Sequence, residues 1–200
     1  NFPVLVKLNS SRIDYSKTMA NGEDLRFVDP NDPTVVLSHE IESWNESGDS
    51  FVWVKVPTVT GGVNSDYIWM YYNNSSATDG QDIANVWETN FKGVWHLGEN
   101  PGTAGSNGIL DATSNNNDGT DNGSMTSGDQ VTGKIGNAID FDGTDDVIAM
   151  ADTASLELRS VATNTWTITG WINTANLTAS NWPAVYTYGT FGASLGLSQI

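Results

Sequence analysis

Apolar residues along this chain recur at every second position far more often than at the three-to-four spacing of a helix, which is the signature of strands with one buried face. From Asn1 to about Asn90 the alternation picks out Val4 to Leu8, Leu25 to Val28, Val35 to Ile41, Phe51 to Val56 and Tyr67 to Tyr72. Turn-forming clusters separate them: Asn21-Gly22, Asp29 to Pro33, Asn45 to Asp49 and Thr60 to Asn64. In FVWVKV, Phe51 and Trp53 share one face while Val52, Val54 and Val56 share the other, so this strand is expected at the centre of a sheet, covered on most of both sides. The segment IWMYY at 68 to 72 reads the same way, and core packing is the default expectation for Trp53, Trp69, Trp95, Trp166 and Trp171.

Between Asp79 and Asn90 the period changes. Ile83, Ala84 and Trp87 suit one or two helical turns, with Asp79 or Asp82 as the cap, linking two halves of the chain. Beyond the link come GVWHL, a Gly-, Asn- and Ser-rich run from Gly98 to Gly128, and an alternating strand at Ala138, Ile139 and Phe141. An Asp/Gly turn, a strand at Val147, Ile148 and Met150 and a Trp-rich strand TWTITGWI at 165 to 172 follow. The expected fold is all-β, with two β-sandwich domains over residues 1–90 and 91–200.

Composition narrows the function classes. The 200 residues carry 8 Lys plus Arg against 24 Asp plus Glu, a formal net charge of -16. A field of that sign repels phosphate backbones and anionic lipid, which argues against nucleic-acid and membrane-surface partners and favours cations. There is no Cys, hence no disulfide framework, thiol nucleophile or Cys-bound zinc. No apolar run approaches the length of a membrane span. The chain opens directly into strand-like NFPVLVKL and stops within the apolar alternation GASLGLSQI, as expected of a piece of a longer protein.

Several segments carry a family resemblance. NFPVLVKL, DLRFVDP at 24 to 30, LSHEIESWN at 37 to 45, FVWVKVP at 51 to 57 and IWMYYNN at 68 to 74 resemble, in succession, a prokaryotic family known only as domain of unknown function 2341, whose members usually have one more strand ahead of the NFPVLV segment. GVWHLGE at 93 to 99, LDATSNNNDGT at 110 to 120, GNAIDFDGTDDVIAM at 136 to 150 and TWTITGWI resemble the laminin-G-like, concanavalin A-like lectin/glucanase jelly roll of secreted prokaryotic proteins. The second resemblance implies that later strands are missing, so this domain is truncated. Together the two imply an extracellular or cell-surface module that binds glycan or a neighbouring surface protein, with calcium as a possible ion.

Candidate chemistry is sparse. Asp111, Asn117 and Asp118 in LDATSNNNDGT, with Asp140, Asp142, Asp145 and Asp146 in DFDGTDDV, offer the oxygens calcium needs; of these Asp111, Asn117, Asp118, Asp142 and Asp145 form the candidate metal set. The competing reading is a set of Asx turns, whose side chains bond backbone amides two residues on. Trp44 and Trp182, in loop-like surroundings, are the candidates for ligand stacking. Glu40 and Glu42 on one strand would share a face at roughly 6.6 Å, near the spacing glycosidases use, but the expected reading is a solvated strand face. His39 lacks a second His at helical spacing, and His96 is expected to pack at a strand end. No catalytic constellation emerges; taken with the two resemblances, this implies a non-catalytic carbohydrate-binding or adhesion module of a prokaryotic surface protein, with an accessory module of a polysaccharide-degrading enzyme and a structural spacer as alternatives. Asn9, Asn45, Asn73, Asn74, Asn122 and Asn176 begin glycosylation sequons, which the abundance of Asn and Ser explains without a role.

Overall fold

The computed structural model of the chain describes residues 1–156 and 165–174, and the backbone of 184–188 and 193–196. Six strands build its N-terminal region: β1 (Phe2–Leu8), β2 (Arg26–Asp29), β3 (Asp32–Leu37), β4 (His39–Ser43), β5 (Ser50–Val56) and β6 (Trp69–Tyr71). They form two antiparallel sheets of order β1-β5-β4 and β3-β2-β6. The inner faces meet in one core, where Leu8, Leu25, Phe27, Leu37, Val52, Val54 and Val56 are buried and Ile68 and Met70 pack against them.

β5 is central and covered on both faces, as its residue pattern predicts. Its Val52, Val54 and Val56 enter the core between the sheets, while Trp53 joins a separate cluster of Val86, Trp87 and Ala112 on the opposite face, with Val94 packed alongside. The expected single strand Val35 to Ile41 is two. The chain leaves one sheet at Leu37 and enters the other at His39, turning the corner at Ser38, whose carbonyl accepts from the Lys55 backbone N–H and whose hydroxyl bonds Asp82. Alternation continues through the corner because Leu37, His39 and Ile41 all face the same core from different sheets, so polarity alone cannot reveal the break.

The link is a single helical turn, α1 (Ile83–Val86), with Asp82 at its N-cap position. The C-terminal region adds α2 (Pro101–Ala104), β7 (Gly119–Asn122), β8 (Gln130–Thr132), β9 (Asn137–Ile139), β10 (Val147–Met150), β11 (Ala184–Tyr188) and β12 (Ala193–Gly196). Among the described residues these strands pair two at a time, β7 with β10, β8 with β9 and β11 with β12. The fold is all-β, as expected. Two strand expectations are corrected. β9 ends before Phe141, which is exposed, and residues 165–174 form no strand, leaving Trp166 and Trp171 exposed rather than packed. The pairing of β9 with β8 stops at Ile139, and residues 165–174 have no neighbouring strand among the described residues; alternation alone buries nothing without one.

A buried carboxylate closes the N-terminal sandwich. Asp24 accepts from the backbone N–H of Met19 at 2.8 Å and from those of Asn73 at 2.7 Å and Asn74 at 3.1 Å, tying the loop before β2 to the end of β6. Burial alone would raise its carboxyl, but these bonds prevail and hold it below the usual range. A depressed carboxylate contributes stability above its unfolded value of about 3.9 and loses it as pH falls through the folded value. Asp24→Asn is therefore expected to cost about 1–3 kcal/mol at neutral pH and to flatten the acid limb of the stability profile, measured by urea unfolding at several pH values.

Candidate functional site

Strand periodicity sends Ile68, Met70 and Tyr72 toward the core, and so sends Tyr67, Trp69 and Tyr71 outward. These three are 58%, 51% and 55% exposed. Among the described residues β6 is an edge strand, paired only with β2, so the expectation that IWMYY is buried on both sides is corrected: one face of the strand is exposed. Tyr67 and Trp69 stand nearly perpendicular, 82° apart with centroids at 5.4 Å, and form an aromatic corner rather than a flat shelf. Across the sheet Trp69 pairs with Val28, and Val28 with Val36, which is itself exposed, so the apolar surface extends sideways from the indole. Tyr71 pairs with Arg26, whose guanidinium is spent on the carbonyls of Glu23, Leu25 and Thr78. A partial signal for this face was present in the sequence: Tyr67, Trp69 and Tyr71 share one parity and Ile68 and Met70 the other, although Tyr72 joins the core parity.

A second constellation lies on the outer face of β4. Glu40 and Glu42 do share a face, but it is not solvated; Glu40 is 6% exposed and the Glu42 side chain 8%. His96 reaches both, with Nε2 3.1 Å from Glu40 Oε1 and Nδ1 3.4 Å from Glu42 Oε2. Trp87 donates its indole N–H to Glu40 and Trp53 donates to Glu42. His96 thus does more than pack at a strand end. Burial pushes the Glu42 carboxyl up, against the opposing pull of His96 and Trp53. Burial alone would lower the His96 imidazole, but the bond to Glu40 and the charges of Glu40, Glu42 and Glu99 raise it above its ordinary value. On the inner face of the same strand His39 is fully buried, edge-on to Phe27, with neither ring nitrogen hydrogen-bonded among the described residues; burial lowers its pKa and keeps it neutral. The sequence does not reveal this cluster because His96 lies far along the chain from Glu40 and reaches it only once the link folds Trp87 onto Trp53.

The residues singled out from the sequence fall in three places. Asp111 is a buried hub: Oδ1 accepts from the N–H of Val94 and of Thr113, and Oδ2 from the Thr113 hydroxyl and the N–H of Asn117. Asp118 accepts from the N–H of Asp111, while Asn117 is held by Lys92, Thr153 and Ser155. Asp111 and Asn117 therefore spend their oxygens internally. Asp142 and Asp145 come together with Asp146, with carboxylate oxygens within 4.8 Å of one another, in a separate loop that no hydrogen bond among the described residues joins to Asp111. Asp142 also accepts from the N–H groups of Thr144 and Asp145, the pattern of an Asx turn. Trp44 packs against the sandwich core edge-to-face with Tyr15, over Gly22, whose φ of +74° and missing Cβ let the indole approach; a Cβ there would sit 2.9 Å from the ring. Trp182 lies outside the described residues.

Among the described residues no helix is long and apolar enough to cross a membrane. No curated protein and no solved structure matches the chain. Residues 21–96, from the loop before β2 through the link to His96, match the family model described as Domain of unknown function (DUF2341).

Proposed function

We propose that this chain is a non-catalytic recognition module of a prokaryotic surface protein, and that it binds glycan through the outward row Tyr67, Trp69 and Tyr71. The observation that supports this reading is the row itself: three large rings with polar rims, Trp69 and Tyr71 on the edge strand and Tyr67 two residues ahead of Trp69, held there by a core that needs only the opposite parity. Aromatic faces stack on the apolar faces of sugar rings while the tyrosine hydroxyls and the indole N–H stay available to hydroxyl groups. The charge of -16 and the occupied Arg26 favour an uncharged glycan over an acidic one. The likeness to laminin-G-like jelly rolls and an extracellular setting belong to the same reading. The buried Glu40 and Glu42 support the absence of glycosidase chemistry, since each is engaged by an indole and by His96.

A glycan array with and without EDTA tests this. Retention of a neutral glycan is expected, unaffected by EDTA, and weakened by roughly ten- to thirtyfold in Trp69→Ala and less in Tyr71→Ala, as for truncation of a binding hot spot. Binding abolished by EDTA and unchanged in Trp69→Ala would move the site to the Asp142 loop. Silence on every glycan would favour the spacer.

A further inference from the structure

We propose that Glu40, His96 and Glu42 form a protonation-gated clasp that fastens the Val94-to-Leu97 segment to the outer face of the β1-β5-β4 sheet and releases it on the alkaline side of neutrality. The ring sits between two carboxylates: Nε2 is hydrogen-bonded to Glu40 at 3.1 Å, and Nδ1 lies 3.4 Å from Glu42, within ion-pair distance. A neutral imidazole has a single N–H and no charge; the imidazolium keeps the bond to Glu40 and turns an N–H and a positive charge toward Glu42 as well. The remaining donors are the indole N–H groups of Trp87 and Trp53, which come from the link and from β5 and carry no charge. The ring also lies 5.9 Å from the Trp87 ring, where a cation is favoured.

The charged groups that face His96 are all acidic: Glu40 and Glu42 from β4, and Glu99 from its own segment. The nearby Lys55 is committed to Glu88 at 3.1 Å. Loss of the imidazolium proton to solvent removes the positive charge that faces Glu40 and Glu42 in a nearly dry site, a change that burial of the carboxylates opposes. The segment stays attached to its own region, because Val94 remains bonded to Asp111 and Ala112, and the Trp95 indole to the Asn117 carbonyl. What opens is the seam between that region and the sheet, exposing the contact of Trp53 with Trp87. His39, on the other face of β4, works with the opposite sign: it is buried neutral, so its protonation opposes the folded state on the acidic side.

The sign follows from linkage. A raised imidazole contributes stability that is complete below its unfolded value of about 6.5 and is lost as pH rises through the folded value. NMR of the His96 ring nitrogens in the full chain, between about pH 5 and pH 9, should show titration above about 6.5. Across that titration the amide protection of Val94 to Leu97, corrected for base catalysis, should fall by up to about tenfold per pH unit, while Val52 and Val54 keep theirs. Glu42→Gln supplies a neutral partner that can donate to Nδ1, so protection should persist to higher pH. Titration of His96 at or below about 6.5, or protection that does not change as it titrates, would overturn the clasp, and the wild-type measurement decides even where a variant does not fold.

Discussion

Replacing Asp111 by Ala is expected to destabilise the region from Val94 to Leu156 by about 4 kcal/mol, leaving the N-terminal sandwich folded. The deletion strands the backbone N–H groups of Val94, Thr113 and Asn117 and the hydroxyl of Thr113 in a buried site. Each lost bond to a charged acceptor costs about 1–3 kcal/mol, less whatever water recovers on entry. Since a domain holds only about 5–15 kcal/mol in total, this region should open frequently. Urea unfolding followed by tryptophan fluorescence should then resolve an early transition, with amide exchange rising first at Val94, Thr113 and Asn117. The same variant separates two roles for the carboxylate. As a hub its loss is independent of calcium; as a calcium ligand it would confer on the wild type a calcium-dependent stabilisation that Asp111→Ala lacks.

Phe27→Ala should cost about 3–5 kcal/mol, because it empties the centre of the sandwich core, where Phe27 pairs with Leu37 on one side and Met70 on the other and packs against His39. Trp69→Ala, one position from Met70 on β6, removes a larger ring but should cost only about 1–2 kcal/mol, because the indole is half solvated. The contrast reads the parity of the β3-β2-β6 sheet directly. If Trp69→Ala is the costlier change by equilibrium denaturation, the sheet is facing the other way.

Much of the sandwich was legible in the residue pattern, and the reason is local. β1, β2 and β5 announce themselves as short apolar runs bounded by turn-forming residues, and the opposed faces of β5 follow from the period of two along a strand. What parity cannot supply is which face has a neighbour. It sent Glu40 and Glu42 to one side correctly, but only the folded link, by carrying Trp87 and His96 over them, makes that side dry. It likewise could not say that β6 lies at an edge, a property of sheet order rather than of the strand. The Asp- and Asn-rich loops were legible as oxygen-dense but ambiguous between turn and cation site. Composition does not show that the Asp111 carboxylate is engaged by neighbours as distant as Val94, which only the fold brings to it.

The tryptophan indole N–H spectrum offers a direct test of recognition through β6. The chain has eight Trp, each with one indole resonance assignable by single substitution. Titration with a neutral oligosaccharide retained on the array should shift the Trp69 resonance while those of Trp53 and Trp87, whose N–H groups are committed to Glu42 and Glu40, stay in place. A bound glycan that leaves Trp69 unmoved and shifts another indole would contradict the assignment of that strand as the binding face.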